Sequence, residues 1–272
     1  MGEQRSSDLA CGPGWRVSRV VCTSGPADRP FEERHESVCV AAVLAGTFQY
    51  RSAQGQAMLS PGAVLLGNQG TCFECRHEHG RGDSCLAFHF SPDYAEPLLG
   101  GRGFAAPHLP PSSTLVPLLA TLEAAAHRAD PAALEEAGVR LLSAAIAGAS
   151  VALRADGPTA RELRLVSEVV RRIERESDED LRLSTMAEGV GMSAYGLLRS
   201  FRRVVGMTPH QYVLRTRLQR AAVRIAETAA PVSRIAYEAG FNDLSTFNHR
   251  FRRVMGASPR TYRAARGSKP RR

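Results

Sequence analysis

At 272 residues the chain is long enough for two domains. Charge separates them: residues 1–158 hold 12 Arg and 16 Asp+Glu, net −4, whereas residues 159–272 hold 23 Lys+Arg and 11 Asp+Glu, net +12. A basic surplus confined to one half points to a polyanion as its partner, and no stretch reaches the ~20 apolar residues of a membrane span, the charge-free apolar run Leu141 to Leu153 falling short of it.

The opening MGEQRSSDLA lacks the apolar core of a signal peptide. A cytoplasmic protein without membrane partners is therefore expected, its six cysteines reduced. Residues 1–14, polar with three Gly and a Pro, read as disordered. From Trp15 to Phe90 short β-runs alternate with turn residues. Val17, Val20 and Val21 make one run and Ser37 to Leu44 a nearly continuous apolar one. Phe48 and Tyr50, Ala57 to Leu59, Ala63 to Leu66 after the Pro61-Gly62 turn, Phe73 to Cys75, and Cys85 to Phe90 follow. Strands of this length and spacing predict a small sandwich or barrel over 15–110.

Within it, Cys72-Phe-Glu-Cys75-Arg-His77-Glu-His79 is the one cluster that invites chemistry. On a strand Cys72 and Cys75 point to opposite faces, whereas Cys75, His77 and His79 share one. Three readings stand: buried packing, the lining of an effector pocket by Cys75, His77 and His79, or metal or redox sensing. A metal-dependent enzyme would use His77, His79 and Asp83 or Glu74, but Ala63 to Gly70 offers no further His. No Ser-His-Asp order, phosphate-binding Gly loop or catalytic carboxylate pair is found, so no enzyme, no metal and no cofactor is expected.

Residues 91–112, rich in Pro and Gly, read as a loop. Leu115, Leu118, Leu119 and Leu122 mark an amphipathic helix, and Asp130-Pro131 opens another with Leu142, Ile146, Ala149 and Leu153 as its stripe. Helices over 111–156 either cover the barrel or pair with a second subunit. Ala155 to Thr159, with Gly157-Pro158, reads as a linker to a C-terminal domain at 159–266, and 267–272 as a basic tail.

That domain is written twice. SFRRVVGMTPHQY at 200–212 matches RFRRVMGASPRTY at 250–262 at an offset of 50. Upstream the offset is 49, pairing Ala187 with Ala236 and Gly191 with Gly240, so the second turn carries one extra residue. Each copy reads as helix, tight turn, helix, with Ser193 as an N-cap in the first. Leu197, Phe201 and Val204, and again Phe247, Phe251 and Val254, form stripes expected to be buried. Tyr195, Leu198, Arg199 and Arg202 share another face, and Ser245, Asn248, His249 and Arg252 are their equivalents. Such side chains reach base edges and phosphates. Arg202, Arg203, Arg252 and Arg253 are placed for phosphates. Thr208-Pro209 opens a helix to about Thr228, whose ~20 residues span ~30 Å, close to the ~34 Å between successive major grooves.

GFNDLSTFNHRFRRVMGASPRTYR, with Gly240-Phe241, Ser245, Phe247, Phe251, Arg252, Gly256, Ser258-Pro259 and Tyr262, resembles the signature of AraC/XylS-type transcriptional regulators. The resemblance covers residues 165–265. It implies seven helices holding two helix-turn-helix units joined by a long linker helix, with base contacts from Tyr195, Leu198 and Arg199 in the first unit and Leu244, Ser245, Asn248 and His249 in the second. Pro61 to Leu66, Glu74 to His77 and Gly82-Asp83 resemble the cupin-like sensor domain that precedes such domains. The implied fold is α+β and multidomain: an N-terminal cupin-like β-barrel plus helices, then an all-α DNA-binding domain. The partners implied are double-stranded DNA, RNA polymerase, a small-molecule effector and a second copy of the chain through helices 114–154. A methyl-accepting DNA-repair regulator of the same DNA-binding type is disfavoured by the β-run spacing and the lack of paired CxxC motifs.

Overall fold

The computed structural model describes residues 3–28, 30, 32–78, 82–112, 114–152 and 158–267. Two compact units emerge: residues 1–164 with 203–206, and residues 165–202 with 207–272.

The first unit is built on two sheets. One has the strand order β1 (Gln4–Gly12), β2 (Trp15–Cys22), β9 (Asp83–Phe90), β4 (Val38–Ala45), β7 (Val64–Gly67), β10 (His108–Leu109); the other runs β3 (Glu32–Arg34), β8 (Cys72–His77), β5 (Phe48–Ser52), β6 (Gly55–Leu59). All of these pairs are antiparallel. The larger sheet is covered on both faces, which is why β4 is apolar along nearly its whole length. Val17, Val38, Val40, Val64, Leu86, Phe88 and Phe90 face a core shared with the helices. Cys39, Ala41, Leu65, Cys85 and Ala87 face a second core shared with Phe48, Tyr50 and Leu59. The period of two along β9 therefore sorts Asp83, Cys85, Ala87 and His89 from Ser84, Leu86, Phe88 and Phe90.

Two expectations are corrected here. Residues 4–12 are a strand, not disordered: β1 pairs with β2 through backbone hydrogen bonds, which a polar, exposed edge strand needs no apolar pattern to make. Residues 92–99 are a helix, α1 (Pro92–Leu99), inside the stretch read as a loop. Ser91 caps it by accepting from the Tyr94 N–H, Pro92 sits at the first helical position, and Gly100 ends it in the left-handed conformation.

Helices α2 (Leu115–Arg128) and α3 (Pro131–Ala152) pack together and onto the larger sheet. Asp130 caps α3 by accepting from the Ala133 N–H at 3.1 Å. Leu134, Leu141, Leu142, Ala145 and Ala149 are buried in the shared core and Ile146 packs against it. The predicted stripe thus covers the sheet; its last member, Leu153, lies outside the described residues, as does most of the 155–159 linker.

The second unit contains α4 (Ala160–Glu176) from residue 165 on, α5 (Leu183–Gly189), α6 (Ala194–Val205) as far as residue 202, α7 (Pro209–Glu227), α8 (Val232–Glu238), α9 (Leu244–Met255) and α10 (Pro259–Gly267). These are the seven helices implied by the resemblance. The α5–α6 and α8–α9 pairs are the two helix-turn-helix units, with α5 and α8 of equal length and α6 and α9 likewise. Gly191 (φ +65°) and Gly240 (φ +81°) make the turns. The extra residue of the second copy lies between α8 and α9, where Asp243 caps α9 by accepting from the N–H groups of Ser245 and Thr246. Residues 268–272 of the tail are outside the described residues.

Candidate nucleic-acid interface and barrel cavity

The repeat is conserved within the chain because its aromatic packing is repeated. Phe201 meets Tyr212 edge-on at 5.8 Å and 73°, and Phe251 meets Tyr262 edge-on at 5.5 Å and 87°. Leu197, Phe201 and Val204 are buried, as are Phe247 and Phe251. Val254 departs from its twin: it is 43% exposed and lies outside the core cluster of the second unit, so the expected buried stripe ends at Phe251.

With those residues inward, the opposite faces point to solvent. Tyr195 is 75% exposed, Arg199 and Arg202 are exposed, and Leu198 is half-buried on α6. On α9, Ser245, Asn248, His249, Arg252 and Arg253 are exposed, whereas Leu244 is half-buried and packs against the apolar core. Among the described residues no side-chain hydrogen bond or ion pair occupies Arg199, Arg202, Asn248, His249, Arg252 or Arg253. Arg203 is exposed and lies 3.7 Å from Glu162.

Both helix-turn-helix pairs are tied to α7. Arg217 on this helix donates to the carbonyls of Ser177 and Glu179, ahead of α5, and to that of Gly240 in the second turn at 2.7 Å. A Cβ at Gly240 would sit 2.9 Å from Arg217 Cζ, so the turn must be glycine for this close approach as well as for its φ. Glu174 of α4 accepts from Tyr212 Oη at 2.8 Å and Thr216 Oγ1 at 3.2 Å. Arg263 of α10 donates to the carbonyls of Ile225 and Ala230, closing the far end of α7. Sequence reading passed over Arg217, Glu174 and Arg263, because no local pattern marks a side chain that joins distant turns.

In the first unit a cavity of about 290 Å³ lies between the sheets. Phe73, Cys75 and His77 of β8 line it, opposite Cys39, Cys85 and His89. Cys75 and His77 share a face as expected, and Cys72 does not line the cavity, so the Cys72/Cys75 redox pair has no geometric support. His79 lies outside the described residues. Glu74 points away and pairs with Arg51 on the exposed side. His77 instead meets Asp83, with Nε2 to Oδ2 at 2.8 Å, and Cys22, which the sequence reading did not single out; all three are buried. Burial opposes a charge on His77, but the adjoining Asp83 carboxylate and Cys22 sulfur outweigh it and hold its pKa up, at about 10. Burial likewise works against a Cys22 thiolate, yet its contacts with His77 and Ser24 bring the net shift down. Burial pushes the Cys39 thiol up to about 12 and raises Cys75 and Cys85 as well.

His35 stacks on Phe73 at 4.2 Å and places Nε2 2.9 Å from Tyr50 Oη. Burial, aided by His89, lowers its pKa from 6.5 to about 4. The fold thus favours neutral imidazole here. The stability this contributes is present above the unfolded value near 6.5 and is lost as pH falls towards 4. Thermal melts at stepwise lower pH are expected to show the first unit weakening across that window, and His35→Gln flattening the trend; an unchanged slope in the variant would assign the acid sensitivity elsewhere.

These features define a two-module, DNA-binding transcriptional regulator. Residues 186–265 match the helix-turn-helix domain model and residues 23–142 the AraC-like ligand binding domain model. The chain is 31% identical to regulatory protein SoxS of Escherichia coli K12 over 100 residues, 37% of this chain and 94% of SoxS. It is 48% identical to the probable transcriptional regulator LumQ of Photobacterium leiognathi over 62 residues, which span 23% of this chain and only 25% of LumQ. A crystal structure of a transcriptional regulator of the AraC-type DNA-binding class from Chromobacterium violaceum superposes with a TM-score of 0.39 at 28% identity, covering 41% of this chain and 100% of that one. The chain belongs to the AraC/XylS family of transcriptional regulators. Its relatives are regulators rather than enzymes, and among the described residues no helix is long and apolar enough to cross a membrane.

Proposed function

We propose that this regulator reads two adjacent major grooves from one chain, α6 in the first and α9 in the second, under the control of an effector held in the barrel cavity. The observation that carries the reading is the pair of equal-length helices with exposed polar and basic faces, joined by a 19-residue helix. At ~1.5 Å per residue α7 spans about 28 Å, near the ~34 Å repeat of the groove. Tyr195, Arg199, Ser245, Asn248 and His249 read bases. Leu198 offers an apolar edge suited to a thymine methyl, and Leu244 contributes less, since part of its surface is spent on the core. Arg202, Arg203, Arg252 and Arg253 hold phosphates. Cys75, His77 and His79 belong to the effector site. The regulator acts in the cytoplasm, on promoters shared with RNA polymerase. A dimer through helices 114–154 would use the outward side of α2, where Val116 is 62% exposed, since the α3 stripe is already covered.

Footprinting of genomic DNA with the purified protein supplies the operator. On it, Arg252→Ala is expected to weaken operator and random DNA alike and to flatten the salt dependence. Arg199→Ala and Asn248→Ala are expected to cost about 1–3 kcal/mol each at particular base pairs and relax specificity there. Equal loss on operator and random DNA for Arg199→Ala would remove its base-reading role.

A further inference from the structure

We infer that Cys22, His77 and Asp83 form a binding site for a borderline-soft divalent cation, zinc in chemical class, in the wall of the barrel cavity. Cys22 ends β2 and Asp83 begins β9, and the two are directly paired across the ladder, so their side chains rise together from one sheet. His77 ends β8 and reaches them from the facing sheet. One donor atom from each lies within 4.8 Å of the others. A tetrahedral ion bound at about 2.0–2.3 Å needs donors roughly 3.3–3.8 Å apart, so small side-chain rotations suffice.

Two further observations point to a ligand rather than to packing. Asp83 is 7% exposed, and no donor reaches its Oδ2 with hydrogen-bond geometry although His77 Nε2 is 2.8 Å away. A buried carboxylate oxygen met by a charge but by no aligned donor is costly, and a cation between the three groups would take the place of the proton that Asp83 and Cys22 hold on His77. The backbone also makes room for the cluster: a Cβ on Gly46 would sit 2.5 Å from Asp83 Cβ, and one on Gly82 2.1 Å from the Cys22 carbonyl oxygen.

A thiolate, an imidazole and a carboxylate together suit zinc rather than the all-oxygen shells of magnesium or calcium. Three protein ligands leave a fourth position facing the cavity for water or for an anionic group of a second ligand. Binding needs the Cys22 thiolate and the neutral His77 imidazole, so the thiol proton and the proton held on His77 both pass to solvent. The inference deepens the sensor reading, since the ion would be the effector or would anchor it.

The test uses untagged full-length protein stripped of metal and titrated with Co²⁺, then Zn²⁺. About one equivalent of Co²⁺ is expected to produce a thiolate-to-cobalt charge-transfer band, which Zn²⁺ abolishes. Cys22→Ser should lose the band, the isosteric Asp83→Asn should keep it with affinity lowered at least about tenfold, and Cys72→Ser should match the parent. Circular dichroism of the metal-free variants checks folding. No band in the parent, or a full band in Cys22→Ser, overturns the site; Asp83→Asn binding as tightly as the parent does so independently. Operator binding with and without Zn²⁺ forms a separate arm: an intact band with unchanged DNA affinity would sink control by the ion and leave the site standing.

Discussion

Arg217→Ala is expected to remove operator binding more completely than loss of any single side chain proposed to read bases, although Arg217 lies on α7 and not on α6 or α9. Its guanidinium donates to carbonyls on both sides of α7: Ser177 and Glu179 ahead of the α5–α6 pair, and Gly240 in the turn of the α8–α9 pair. A charge-assisted hydrogen bond contributes about 1.5–3 kcal/mol. Losing the set, less what water recovers at this half-buried site, should destabilise the C-terminal unit by about 2–4 kcal/mol, or roughly 10–20 °C for a domain near 100 residues. Affinity should fall towards that of one unit alone, because the second no longer arrives pre-aligned. Arg217→Lys should rescue poorly, since a single ammonium cannot span a fork of acceptors. Calorimetry of the full chain and anisotropy on full and half operators check both parts; a lysine variant as stable and as tight as the parent would show that charge alone matters.

Phe251→Ala is the second large effect. Phe251 is fully buried between Phe247, at 5.4 Å, and Tyr262. Truncation of a buried aromatic costs about 3–5 kcal/mol. Here the cavity would open beneath α9, so α9 and α10 should lose protection in hydrogen exchange while α5 and α6 keep theirs. Residual DNA binding should be weak and confined to the first half of the site. A loss below about 1 kcal/mol would mean that the α7–α9 core repacks without it.

Both positions show what could be read in advance. Phe251 and Phe201 declare themselves by repetition, as do Gly191 and Gly240, because a duplicated unit must solve the same backbone problem twice. Arg217 does not repeat, since the contact it makes exists only between the copies. Val254 shows the converse: it ends exposed although Val204, at the same place in a helix of the same length, is buried. In the first unit the strands with apolar alternation were legible. The edge strand β1 was not, because its pairing uses the backbone. Helix α1 was hidden because Pro92 and Pro97 read as breakers, although Ser91-Pro92 is also how a helix starts. Half of the cavity cluster followed from the strand period at Cys75 and His77. Cys22 did not, since only the register of β2 on β9 brings residue 22 beside residue 83.

The unequal turns, with their extra residue ahead of Asp243, carry a genetic corollary. One rod offers a phenol, an isobutyl group and a guanidinium; its sibling offers a hydroxyl, an amide and an imidazole. On the proposed two-groove reading, sites bound by a single chain should therefore be neither palindromes nor tandem copies but directional words, so that inverting one at a promoter changes its effect even though every nucleotide is retained.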